Sequence, residues 1–564
     1  MPHSPLFRHC LRLLRQSVSQ PKTATSGASV SRLTRRRFIR STALVGGTAI
    51  ATRLLSTPAA TQAQSSGATP AIAIVGAGLA GLNAAYQLKN LGLSATVYEA
   101  KPQVGGRTPS VTGPVGPGLV LDPGGHFINS DHDDILSLAD ELGLPLFNRV
   151  EDAERSPIAA TSYYFDGRLR PEAEVAASLA PIAQQIADDA ALLDDDYDQF
   201  APEFDELSVA DYLDLHADKI AGPFVRTLLE QSIRTEYGVE PEDSSALQLL
   251  FNLPTVDGDS VEMLSSDETY TMEGGIGRLV DSLAAALPGQ IHTSRRLTRL
   301  QSQNSGFRLT FNGAETVDAD YVILAIPFTV LRRVDLHVDL PKDLTRFIHE
   351  VDLGANEKLF AGFNQKVWRQ SGGFINEIWT DQGYSQAWES TQRQPDSQAG
   401  ALTFYLGGED AITAQATPAA AQGQAFVQGL GDAMAPQGRS LTITDLPAAA
   451  NGQFFRTAWS QDPFAQGAYT SFQPGQLTEF AEFFYIEADT PDDRQDVYVD
   501  NLVFAGEHLS DEFYGYMNGA AQTGRLATEV VAERVLEGSG GPGSRGAGEP
   551  GSRGAREPIY LFAA

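Results

Sequence analysis

Cysteine is nearly missing from this chain: Cys10 is the only one among 564 residues. It lies in a stretch that reads as a removable leader. The mature chain would then hold no disulfide, no thiolate metal site and no cysteine nucleophile. Basic residues are also scarce. Residues 1–63 contain ten Lys/Arg and no Asp/Glu, which leaves 31 basic against 71 acidic groups beyond them, a net −40. Such a surface argues against a nucleic-acid partner, because that affinity depends on Lys/Arg neutralising phosphates. It would draw cationic solutes, and it equally suits plain solubility. Long apolar runs are missing too. Ser41 to Leu55 is modestly apolar, is broken by Arg53 and is too short to span a bilayer. No transmembrane segment is therefore expected in the mature chain. No metal cluster with sensible ligand spacing appears either, so no metal is expected.

The missing acids of residues 1–63 have a counterpart in Thr34-Arg35-Arg36-Arg37-Phe38-Ile39-Arg40, which resembles the twin-arginine export signal. Thr61-Gln62-Ala63 is a candidate cleavage site before Gln64. Export by this route delivers proteins already folded around a cofactor, to the periplasm or the exterior. Residues 537–564 are a Gly/Pro-rich near-repeat and read as a disordered tail.

Ala71 to Arg107 organises what remains. An apolar run, Ala71 to Val75, suits a buried strand. Gly76-Ala77-Gly78-Leu79-Ala80-Gly81 follows, the G-x-G-x-x-G pattern. A helix is expected next, with Leu79, Leu82, Tyr86 and Leu91 on one face and Gly92 ending it. A second strand, Ala95 to Tyr98, delivers Glu99. This is the βαβ start of a dinucleotide site. Gly76 permits the turn, Gly78 lets backbone approach a pyrophosphate, and Gly81 lets helix and strand pack. The helix N-terminus near Ala80 offers N–H groups to phosphate, and Glu99 can accept from ribose hydroxyls.

Further along come Asp122-Pro123-Gly124-Gly125-His126-Phe127-Ile128 and a helix over Asp133 to Leu142. Residues 151–269 read as mainly helical and acidic, with Asp188, Asp189, Asp194, Asp195 and Asp196 on a solvated face. A helix over Ile276 to Leu287 precedes strands near Ile291, Leu297–Leu300, Phe307–Phe311 and Tyr321–Leu324. Leu502 to Phe504 forms a strand before Ala505-Gly506-Glu507-His508, and Gly515 to Ala520 opens a last helix running to about Leu536.

In order, GAGLAGL, EAKPQVGGR, DPGGHFI, MEGG, AIP, LGANEK, WSQDP, GAYTSFQPG, FAGEH and GYMNGA resemble the flavin-containing amine oxidase family over residues 70–536. That family includes monoamine, polyamine and L-amino acid oxidases. The resemblance implies an α/β fold: a Rossmann-like FAD-binding domain (70–150, 270–335 and 490–536) interleaved with an α+β substrate-binding domain (151–269 and 336–489). It implies that Gly105, Gly106 and Arg107 lie along FAD and that Leu297 meets the adenine through backbone. Gly506 and Glu507 would serve the ribitol, and Met517 would start a helix facing the flavin ring. Lys358 matches the family's lysine near flavin N5. Tyr469 and Tyr516 match the two rings that flank the substrate amine, and His126 matches a substrate-side histidine of polyamine oxidases. Ala468 stands where some relatives carry a flavin-linked cysteine, so noncovalent FAD is implied. The implied reaction turns an amine into an imine, with O₂ reduced to H₂O₂. An L-amino acid oxidase stays open, with Arg234 weighed as a carboxylate ligand, and so does a flavin desaturase or dehydrogenase on an apolar substrate. A homodimer is left open.

Overall fold

The computed structural model describes residues 70–370, 372–434, 446–488 and 493–539. The export signal and most of the C-terminal repeat lie outside the described residues.

The first strand is Ile72–Val75, one residue shorter than expected. Its four residues are all buried, as an apolar run inside a parallel sheet must be. It is the centre of a six-stranded sheet ordered Ile291–His292, Ala95–Tyr98, Ile72–Val75, Tyr321–Leu324, Leu502–Phe504, Tyr498–Val499. Every pairing is parallel except the last. Ile72 sits opposite Ala95 on one side and Tyr321 on the other, so the strand ends Val75, Tyr98 and Leu324 lie side by side. Ligand crevices of open α/β sheets form at such carboxyl ends.

The helix after the glycines is Leu79–Asn90. Leu91 is not on its apolar face: it is the cap residue and about half exposed. The last helix, Met517–Ser539, packs against Leu79–Asn90 and runs past the expected end at residue 536. The helices over 133–142 and 276–287 are Asp133–Glu141 and Gly277–Ala285.

A second, seven-stranded sheet is ordered Ala450–Arg456, Asn356–Phe363, Gly400–Gly407, Gln386–Glu389, Glu377–Thr380, Thr161–Phe165, Arg168–Arg170. Residues 151–269 are therefore not only helical: they lend two strands to this sheet and form the hairpin Thr255–Asp257 with Ser260–Glu262. The acidic cluster also divides. Asp188, Asp194, Asp195 and Asp196 are exposed, but Asp189 is buried and accepts from the Tyr212 hydroxyl at 2.6 Å. Among the described residues no helix is long and apolar enough to cross a membrane.

One helix of residues 151–269 ends against this second sheet. Pro223–Tyr237 starts on proline, whose fixed φ and absent N–H suit a first turn. It stops at Gly238, with φ +66°, a left-handed position that glycine adopts without cost. A Cβ there would lie 2.0 Å from Asn356 Oδ1. Asn356 Nδ2 donates to the carbonyls of Arg234 and Thr235 at 3.0 and 3.1 Å. The last helical turn, bearing Thr235 and Glu236, is thus pinned to the buried strand Asn356–Phe363.

Candidate active site

Gly76 turns the chain at φ +105°, and a Cβ on it would lie 2.3 Å from the Ala325 carbonyl oxygen. Gly106, at φ +57°, lies against Gly78, whose Cα a Cβ would meet at 3.2 Å. These close approaches leave a backbone-walled groove that opens into a cavity of about 610 Å³. Gly76, Gly78, Ala80, Glu99, Gly105 and Gly106 line it. So do Arg107, His126, Leu297, Lys358 and Tyr469, and Gly506, Glu507, Tyr516 and Met517. Of the residues matched to the cofactor or the amine, only Gly81 is absent from the wall. It lies under the turn, where a Cβ would lie 2.0 Å from the Gly76 carbonyl oxygen.

Glu99 does more locally than its position at a strand tip suggests. One carboxylate oxygen accepts from the Ala77 N–H at 2.8 Å and the other from the Lys101 N–H at 2.7 Å. It fixes the glycine turn, and each oxygen keeps a further lone pair for a ribose hydroxyl. Arg107 likewise has partners within the protein. Its guanidinium donates to Glu507 at 2.8 Å and to the Ala468 carbonyl at 2.7 Å. Glu507 also accepts from the Thr470 hydroxyl at 2.9 Å and the Gly515 N–H at 2.7 Å. Burial pushes the Glu507 carboxyl up, but Arg107, neighbouring His508 and these donors outweigh it and hold it below its usual range. One ion pair thereby ties together the segments that carry Arg107, Tyr469 and Tyr516.

The rest of the wall is made of side chains. Lys358 lies in the strand Asn356–Phe363, and its Nζ donates to the carbonyls of Gly124 and Asp122 at 2.6 and 3.2 Å. It also faces the Trp388 ring at 5.5 Å. Burial lowers its pKa to about 8, aided by Arg393 and opposed by Asp122 and Glu268. Tyr469 hydrogen-bonds Tyr405 through the two hydroxyls and donates to the Thr235 carbonyl. The Tyr516 hydroxyl donates to Glu236 at 2.8 Å.

His126 is held from behind. Its Nδ1 lies 2.7 Å from the Asp122 carboxylate, which Arg393 also meets at 2.8 Å and the Ser110 hydroxyl at 2.6 Å. Burial drives the imidazole pKa down to about 3, against the pull of Asp122. Asp122 falls to about 2: Arg393 and His126 outweigh its burial. A neutral ring beside an ionised carboxylate carries its proton on Nδ1, which leaves Nε2 as an acceptor.

Sequence reasoning missed Asp122, Arg393, Glu236, Glu268, Trp388 and Tyr405. Asp122 carried a usable signal, standing four residues before His126 in a segment already singled out. Glu236 carried a weaker one, as the acid just before a helix-stopping Tyr237-Gly238. The others come from strands and loops with no local mark. Arg234, weighed as a carboxylate ligand, is bound to Glu240 at 2.7 Å and is not on the cavity wall.

The family model for flavin-containing amine oxidoreductases matches residues 79–532. Curated relatives include the flavin-containing amine oxidase B of the dog, 25% identical over 82% of this chain and 86% of that one. The human flavin-containing amine oxidase B is 24% identical, with the same two shares of coverage. Among solved structures, wild-type putrescine oxidase bound to putrescine superposes with a TM-score of 0.65 at 22% identity, covering 83% of this chain and 99% of that one. The cyclohexylamine oxidase of Brevibacterium oxydans gives 0.64 at 22% identity, covering 83% and 100%.

Proposed function

The chain belongs to the flavin-containing amine oxidoreductase family, and on that premise we propose that its flavin is noncovalently bound FAD. It acts as an amine oxidase, and we read its substrate as an amine that is cationic in solution. The observation that carries this reading is the make-up of one continuous wall. A glycine-turn groove with Glu99 at its edge fits the adenine-ribose and diphosphate part of FAD. The same cavity reaches Lys358, Tyr469 and Tyr516. Bound along this wall, a flavin would supply the hydride acceptor and a route for the electrons to O₂.

The chain supplies the rest. Tyr469 and Tyr516, each fixed through its hydroxyl, both line the cavity, and we read their rings as the pair that orients an amine and keeps it from water. Lys358 stands as a proton carrier whose pKa lies within reach of neutral pH. His126 offers Nε2 as a hydrogen-bond acceptor. Two half-buried carboxyls on the wall, Glu236 and Glu268, favour a cation over a carboxylate-bearing substrate.

The arginines on the wall offer little to an L-amino acid. Arg107 is engaged by Glu507 and Ala468, and Arg295 pairs with Glu315 at 2.6 Å. Arg296 and Arg333 lie on exposed positions beside Leu297 and Val334. The buried lysine and paired tyrosines likewise speak against a desaturase on an apolar substrate.

The deciding assay purifies the chain, records its flavin spectrum and follows H₂O₂ with putrescine, benzylamine, cyclohexylamine and L-amino acids. Amines should turn over and amino acids lag. A colourless protein that takes up no FAD would sink the reading. We also propose that the chain is exported by the twin-arginine route, on the strength of Arg35-Arg36-Arg37-Phe38. Fractionation of cells making the chain with Arg35, Arg36 and Arg37 changed to Lys should retain it inside.

A further inference from the structure

An amine arrives at neutral pH as an ammonium, with no lone pair to support loss of hydride from its α-carbon. Some group on the wall has to take that proton. Glu236 lies in the last turn of Pro223–Tyr237, and that turn is pinned by Asn356. Its Oε2 accepts from the Tyr516 hydroxyl at 2.8 Å. The residue lines the cavity and is partly exposed to it. Tyr516, a ring of the amine slot, thus also holds the carboxyl beside that slot.

We infer that Glu236 is a catalytic residue that takes the proton of the substrate ammonium before oxidation, with Tyr516 holding its carboxyl in place. The step balances simply. An N–H bond of R–CH₂–NH₃⁺ breaks, an O–H bond forms on the Glu236 carboxylate, and R–CH₂–NH₂ keeps the electron pair. This rests on the amine-oxidase reading.

The surroundings tune the group. Burial pushes its pKa up to about 7, the Tyr516 hydrogen bond pulls it down, and Glu377 pushes it up again. The other groups that face it are phenols and one further acid. Tyr469, Tyr405 and Tyr237 all feel its charge, as does Glu268. Glu268 is itself paired with Arg149 at 2.8 Å. Lys358 stands on the same wall. An acid poised near neutral pH loses its proton readily enough to serve as a base and regains it readily enough to reset.

The test is anaerobic bleaching of the bound flavin by benzylamine and by putrescine, followed from pH 6 to pH 10, in wild type and Glu236→Gln. Glutamine keeps an acceptor for Tyr516, and an unchanged flavin spectrum and melting temperature will show an intact fold. Bleaching in the variant should be slower by about 10²-fold at pH 7. The gap should close toward pH 10, where the amine arrives already neutral. Tyr516→Phe supplies a second arm. Without the hydrogen bond the carboxyl pKa rises, so the acid limb of the profile should move to higher pH. A Glu236→Gln loss that is the same at every pH, or no loss at all, overturns the inference alone. Wild-type flavin that no amine bleaches overturns the amine reading and takes the inference with it.

Discussion

The cavity has two kinds of wall. Around Gly76, Gly78 and Gly106 it is backbone, with positive φ angles at Gly76 and Gly106 and an approach at Gly76 too close for any Cβ. Around Lys358, His126, Glu236 and Glu268 it is side chain, and burial has moved the titration of all four. The bases are pushed down and the acids up, the signature of desolvation. The first wall recognises by shape and by N–H groups, and its behaviour should hardly depend on pH. The second is electrically poised, and pH should govern it. Glu507 and Arg107 stand at the junction and brace one wall against the other.

The sharpest way to break this division is to remove the brace. In Glu507→Ala the partly buried Arg107 loses its counter-ion, and Thr470 and Gly515 lose their acceptor. Taking one partner from such a pair costs about 3 kcal/mol. The expected protein is markedly less stable to heat and purifies without flavin. A yellow variant with wild-type melting would show that the two walls do not depend on this junction.

Lys358→Met tests the poised wall alone. Methionine fills the space but carries no proton, and the carbonyls of Gly124 and Asp122 lose a donor. Flavin reduction or reoxidation should slow by about 10²-fold, with FAD content unchanged. Loss of FAD instead would mean that the walls are not separable.

Acid stability gives a milder contrast. His126 titrates near 3 and His508 near 4, both lowered by burial, against about 6.5 in an unfolded chain. The unfolded chain therefore takes up the proton first. Stability should fall as pH drops from about 6.5 toward 3, by at most about 1.4 kcal/mol per pH unit for each histidine. Glu236 opposes this, because its raised pKa makes the folded state bind its proton first between about 4.5 and 7. Melting curves of His126→Asn should fall less steeply with acid than those of wild type.

How legible each wall was in the sequence depends on how it is built. The backbone wall is local. Gly76 to Gly81, with Glu99 at the next strand tip, encode a turn, a helix start and an acid within a single βαβ unit, so spacing alone can be read. Even there the side-chain partners were not readable. Arg107 lines the cavity as the motif implied, but its ion pair with Glu507, across 400 residues, has no local signal. The poised wall is assembled from the helix ending at Tyr237, the strand bearing Lys358 and the loops bearing His126 and Tyr516. Its individual residues stood out only where a family motif marked them. Glu236, Trp388 and Arg393 gain their properties from burial beside distant segments, which no periodicity records.

The smallest expected effect concerns how the flavin is held. Ala468 has its N–H bound to the Gly354 carbonyl at 2.8 Å, and its own carbonyl accepts from Arg107. Its backbone position is thus fixed, while its side chain is a methyl on the cavity wall. A methyl forms no bond to a cofactor, and on the noncovalent reading proposed above retention comes from the shape of the glycine wall and from the brace. Acid precipitation of the wild-type protein should leave the flavin in the supernatant. Ala468→Cys should fold and melt like wild type, because only one sulfur is added beside open space. Flavin that stays with the wild-type precipitate would place a covalent link among the wall's tyrosines or histidines. The division between a wall that holds and a wall that reacts would then fail.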